Sequence, residues 1–211
     1  MTRVGCSKTQ IHQTCMPTTR CICAQKNVNS CHRTKFIELG EDNACTGDVF
    51  HNRWLQLWED LQNWLSDRPR ELPPVQTTNT KPFPHIFFVH WAAISSNQLY
   101  HTASILLLKI MPKSIKLRPG PSLSTLWHAR CICGISLANP HQGCLNNAIQ
   151  PLWLAGRLFS HASEHEVIVN LIRSIEATTG WGACWRIRDL EIACGYKVRG
   201  ERVENPQQVF C

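Results

Sequence analysis

Apolar residues between positions 54 and 195 recur mostly at helical spacing, and the breaks between runs carry proline, glycine or asparagine. Trp54, Leu57, Trp58, Leu61, Trp64 and Leu65 fall on one side of a first helix, with Gln56, Glu59, Asp60 and Asn63 on the other, and Pro69 stops it. Leu72, Pro73 and Pro74 continue as an extended arm, residues 75–81 read as a polar loop, and Pro82, Phe83 and Pro84 form an extended entry to the next apolar run. Residues 86–94 alone fit a strand or a buried helix. The Ala-, Leu- and Met-containing residues 99–111 extend the pattern, so the run predicts one long helix, or two jointed near Ser95, Ser96 and Asn97, ending at Pro112.

After the Arg118, Pro119, Gly120, Pro121 linker, Ser122 or Ser124 can cap a third helix. Its apolar face is expected to carry Leu123, Leu126, Trp127, Arg130, Cys133, Gly134 and Leu137, with a stop at Asn139 and Pro140. Asn146 and Asn147 open the next helix, with Pro151 near its start and the small pair Ala155 and Gly156 in its middle, where a close helix neighbour would compensate for glycine. Ser163 followed by Glu166 reads as a capping box opening onto Val167, Ile168, Leu171, Ile172 and Ile175, and Gly180 supplies the stop. Trp181, Trp185 and Leu190 continue a final helix up to Gly195. The fold class expected is all-α, an irregular multi-helix domain over residues 54–195, preceded by a disordered N-terminal segment over 1–53 and followed by a tail over 196–211.

Composition changes this picture at the N-terminus. Residues 1–37 hold Arg3, Lys8, Arg20, Lys26, Arg33 and Lys35 with no acid, so they supply +6 of the net +7 and the remaining chain is nearly neutral. Six of the twelve cysteines also lie there, Cys6, Cys15, Cys21, Cys23, Cys31 and Cys45, with His12 and His32 nearby. Structural zinc is gripped by ligand pairs two to four residues apart, and the closest pair here is Cys21 and Cys23, so a disordered basic tail is the preferred reading over a zinc module. A Thr-rich, acid-poor start also fits an organelle transit peptide, although its cysteines argue against one. No apolar secretion signal is apparent and the apolar runs fall short of a membrane span, so a soluble protein of a reducing compartment is expected.

Chemistry-bearing motifs are sparse. His128, Cys131 and Cys133 resemble a metal cluster, but on a helix Cys131 and Cys133 point apart, which favours buried free thiols. No phosphate loop, nucleophile elbow or zinc-protease helix is present, and Glu164 and Glu166 are assigned to the helix dipole and cap. No catalytic, cofactor-binding or metal-binding residue is therefore expected, zinc entering only if an N-terminal cluster exists.

The ordered set of Trp54 to Trp64, Arg68 and Pro69, Phe83 and Pro84, Tyr100 and His101, Cys131 to Gly134, and Asn146 to Pro151 resembles the C-terminal regulatory region of fungal-specific transcription factors. Ala155, Gly156 and Arg157, then Glu164 to Glu166, then Gly180, Trp181 and Trp185 complete the resemblance. It implies an all-helical nuclear domain that modulates a transcription regulator, working through contacts with other regulators or a second copy. DNA would be engaged only indirectly or by a missing N-terminal module, and no membrane is involved. That family usually begins with a binuclear zinc cluster, whose paired cysteines residues 1–53 lack, so the resemblance implies an incomplete regulator. Two other readings compete: a helical ligand-binding protein or enzyme with a pocket lined by Trp127, Trp153, Trp181 and Trp185, and a zinc-dependent DNA binder using the N-terminal cysteines.

Overall fold

The computed structural model describes residues 47–194, and the expectations placed on residues 1–46 and 195–211 lie outside the described residues. The elements in order are α1 (Gly47–Asp67), β1 (Gln76–Thr78), β2 (His85–Phe87), α2 (Trp91–Lys109), a 3-10 turn (Pro121–Leu123), α3 (Thr125–Ala138), α4 (Gln142–Gly156), α5 (Ala162–Thr179) and α6 (Cys184–Ala193). The all-α expectation holds: six helices and one two-stranded hairpin make up the described residues.

Helix α2 lies at the centre. Residues 93–107 are buried on every side except at Leu99, which is only partly covered, and α1, α3 and α4 pack around them. Trp54, Trp58, Leu61 and Trp64 are the buried residues of α1, as their spacing predicts. Trp54 and Trp58 stack with ring centroids 5.5 Å apart, and the Trp54 indole N–H donates to the Leu107 carbonyl at 2.8 Å. Trp64 stacks on Tyr100 of α2. Residues 47–53, expected to belong to the N-terminal segment, form the first turns of α1.

The run from residue 86 departs from the expected helix. Residues 76–78 and 85–87 pair antiparallel, Thr77 opposite Ile86, and α2 begins only at Trp91 before passing without a joint through Ser95, Ser96 and Asn97. The polar stretch read as a loop therefore contains β1. Three-residue strands are too short to show a period, and what holds this hairpin is tertiary. Asn139, the C-cap of α3, donates to the Ile86 carbonyl at 2.7 Å and accepts from the Phe88 amide at 3.0 Å. Between the strands Phe83 enters the core against Phe159, with centroids 5.1 Å apart.

Helix α3 begins where Ser124 caps it by accepting from the Trp127 amide at 3.2 Å, but its buried face matches only part of the one its apolar letters suggest. Leu126, Trp127 and Arg130 are exposed, whereas His128, Ala129, Cys131 and the residues through Ser136 are buried. Of the expected face, Cys133 and Gly134 are buried and Leu123 and Leu137 partly so, and polar partners on α2 draw His128 and Ser136 inward as well.

Helix α4 starts at Gln142, one turn before Asn146, so Pro151 lies in its interior, where it supplies no N–H to the preceding turn. Gly156 is its last residue, not a mid-helix position, yet the close neighbour is there: a Cβ on Gly156 would meet both Leu190 methyl carbons of α6 at 2.8 and 2.9 Å. The capping box of α5 does not form. The N-cap is His161 and makes no side-chain cap bond, Ser163 lies inside the helix 2.9 Å from the His161 ring, and buried Glu164 instead pairs with Arg130 of α3 at 2.7 Å. The apolar face is as expected, with Ile168, Ile172 and Ile175 fully buried and Leu171 partly so, and Gly180 ends the helix in the left-handed conformation at φ 69°.

A Cβ on Gly134 would fall on the Pro84 carbonyl, so α3 can hold the hairpin only with glycine there. Gly134→Ala and Gly156→Leu should each destabilise the fold by more than about 1 kcal/mol, Gly134→Ala despite the better helix propensity of alanine. Denaturant midpoints equal to the wild type for either variant would contradict the corresponding contact.

Candidate functional site

The polar side chains buried along α2 form a seam between α1, α3 and the arm after α1. Arg68 donates to the Asn97 side-chain oxygen at 2.7 Å, and the Asn97 amide donates to the carbonyls of Leu72 at 2.9 Å and Ala93 at 2.8 Å. One turn on, Gln98 donates to the Ser136 hydroxyl of α3 at 2.8 Å, and that hydroxyl donates to the Ile132 carbonyl. Thr102 and Ser104 turn back onto the carbonyls of Gln98 and Tyr100 at 2.7 and 2.9 Å.

At its far end the seam holds two imidazoles. His101 and His128 face each other with Nδ1 atoms 2.8 Å apart, and the Nε2 of His128 lies 2.9 Å from the Ser122 carbonyl. Burial holds both rings neutral: the His101 pKa falls well below its ordinary value, with His128 and Arg68 adding to the effect, and that of His128 falls to about 4. The tautomers follow. A carbonyl accepts only, so His128 carries its proton on Nε2; its Nδ1 is then an acceptor, and His101 must donate from Nδ1. Tyr100 and Trp127 enclose the pair edge-on.

Most of these groups are engaged with one another, while Ser95 Oγ and Gln98 Oε1 are buried without a partner, and the engagement limits their chemistry. Burial raises the Cys131 thiol to about 12 and pushes Cys133 up as well, so neither supplies a thiolate near neutral pH. Both are buried free cysteines. His128 and Cys131 do not form a ligand pair, because both His128 ring nitrogens are engaged, and no group of three or more metal-ligating side chains occurs among the described residues. The N-terminal cysteines and His12 and His32 lie outside the described residues.

The four tryptophans proposed to line one pocket make different contacts. Trp127 lies against the two histidines, while Trp153 and Trp185 flank the Arg186 guanidinium at 4.4 and 3.9 Å. Trp181 is 64% exposed. Reading the sequence missed the seam because Ser, Asn, Gln and His inside an apolar run look like interruptions of a helix, though the resemblance did draw attention to Arg68, Tyr100 and His101.

The chain is similar to transcription activator AMTR1 of Alternaria alternata, with 32% identity over 183 residues that take up 75% of this chain and 22% of that protein. The two are related. The chain thus spans about a fifth of the length of the curated relative it matches. No family model matches the chain, and no solved structure matches it. Among the described residues no helix is long and apolar enough to cross a membrane.

Because the fold admits the neutral imidazoles and refuses the charged ones, the unfolded chain takes up protons that the fold does not. The stabilisation is fully present above about pH 6.5 and is lost as the pH falls from there toward 4, on the order of 3 kcal/mol for His128 alone. Denaturant titrations between pH 6.5 and 5 should show stability falling by about 1 kcal/mol per pH unit for His128, with His101 acting in the same direction, and a His101→Leu/His128→Leu double variant should flatten that slope. An unchanged slope in the double variant would contradict the neutral pair.

Proposed function

We propose that this chain is the helical, non-DNA-reading regulatory part of a fungal-specific transcription regulator, that it is not a catalyst, and that it works in the nucleus through contacts with other regulators or with a second copy of itself. The observation that carries this reading is the similarity to a transcription activator over three quarters of the chain. The all-helical architecture agrees with the resemblance in Arg68 and Pro69, Tyr100 and His101, and Gly180 and Trp181. The interior supports it too: the seam's hydroxyls and imidazoles are committed to internal hydrogen bonds, which suits a scaffold that presents surfaces better than a reaction centre.

A reporter assay tests the proposal. The full chain fused to an unrelated DNA-binding module and expressed in a fungal host should raise or lower transcription from that module's operator at least threefold. Gly134→Ala, which weakens the packing of the hairpin on α3, should reduce the effect. Reporter output equal to that of the DNA-binding module alone, with the fusion present in the nucleus, would overturn the reading.

A further inference from the structure

The outer side of α6 is the surface that internal packing leaves unexplained. Ile187 and Leu190 face inward, whereas Trp185, Arg188 and Ile192 share the opposite side at spacings of three and four residues. Trp185 is 55% exposed and Ile192 59%, and Trp181, four residues earlier in the turn leading into the helix, is 64% exposed. Next to this side the Arg186 guanidinium lies between Trp185 and Trp153, and Arg157 lies over Trp153 at 4.9 Å. Large aromatics and arginines together are the side chains that dominate the energetics of protein interfaces.

Positive charge is in excess here once the Arg186–Asp189 ion pair is set aside, three arginines standing against Glu176 and Glu191. Asp189 is taken by Arg186, and Glu176 accepts from the Ala183 amide at 2.9 Å. Arg157, Arg173 and Arg188 are exposed and have no carboxylate partner among the described residues, which leaves Glu191 as the remaining acid on α6. A second copy docked about a two-fold axis passing at Arg188 would bring that arginine against its own counterpart. Nucleic acid fits less well, because bases stack on free ring faces and the chain's own guanidinium already lies over both Trp153 and Trp185.

We propose that the outer side of α6, together with Trp181 and Trp153, is a docking surface for an acidic peptide segment that carries bulky apolar side chains. Its apolar groups cover Trp185, Trp181 and Ile192, and its carboxylates pair with Arg157, Arg173 and Arg188. This goes beyond the regulatory reading and stands on the surface chemistry alone.

The test titrates the full-length chain with a synthetic peptide in which Leu and Phe recur at helical spacing among Asp and Glu, alongside a peptide with Lys in place of the acids, and duplex DNA. The acidic peptide should bind saturably, blue-shift the tryptophan emission, and weaken as salt is added. Trp185→Ala and Arg188→Glu should each reduce affinity at least fivefold. Trp91→Ala, which removes an exposed tryptophan elsewhere on the surface, should leave it unchanged. These are exposed positions, so circular dichroism should show wild-type helicity for all three variants. Absence of acidic-peptide binding, equal binding of the lysine peptide, or indifference to Trp185→Ala and Arg188→Glu would overturn the proposal. So would duplex DNA binding at these residues in place of the peptide, or a dimer that Trp185→Ala dissociates.

Discussion

A helix covered on nearly every side must find partners inside the protein for every polar group it carries, because water cannot reach them. Helix α2 lives under that constraint and carries Ser96, Asn97, Gln98, His101, Thr102 and Ser104 into the interior. Ser96, Thr102 and Ser104 bond back to their own helix, and the other three dictate something about their surroundings. Asn97 fixes Arg68 and the carbonyl of Leu72, and thus the path of the chain leaving α1. Gln98 and His101 fix the rotation of α3 by requiring Ser136 and His128 to face inward. Directional bonds of this kind specify one arrangement of helices, where apolar contacts alone would tolerate several.

Burial of large side chains supplies the driving force and close approach supplies the fit. The four tryptophan and leucine side chains on the inner face of α1 cover α2 from one side, and Ile168, Ile172 and Ile175 of α5 complete the core on another. Where two elements come closest, a glycine stands at the contact, Gly134 against Pro84 and Gly156 against Leu190. The hairpin owes its position to Gly134, Asn139 and Phe83 more than to its own short ladder.

The amphipathic parts were legible in the sequence. The inner face of α1, the isoleucines of α5 and the stop at Gly180 follow from spacing and one left-handed residue. What escaped had a tertiary cause. The strand at residues 85–87 depends on Asn139, 53 residues away, and α5 begins at Ala162, which puts Ser163 inside the helix and away from a cap position. The inner face of α3 includes His128 and Ser136 because they meet polar partners on α2, and no property of α3 alone reveals that. Trp181 and Trp185 were expected to continue the final helix with Leu190, and they stand exposed because α6 has only Ile187 and Leu190 to bury.

Amide hydrogen exchange at the centre of α2 tests the governing idea most directly. If this helix is the buried axis on which the others are hung, the amides of Ser96 through Leu107 should be the slowest in the protein and should exchange only through global unfolding, with opening free energies equal to the stability measured by denaturant. Amides of α6 should exchange through smaller openings. Protection in α2 no greater than in α6 would contradict the account.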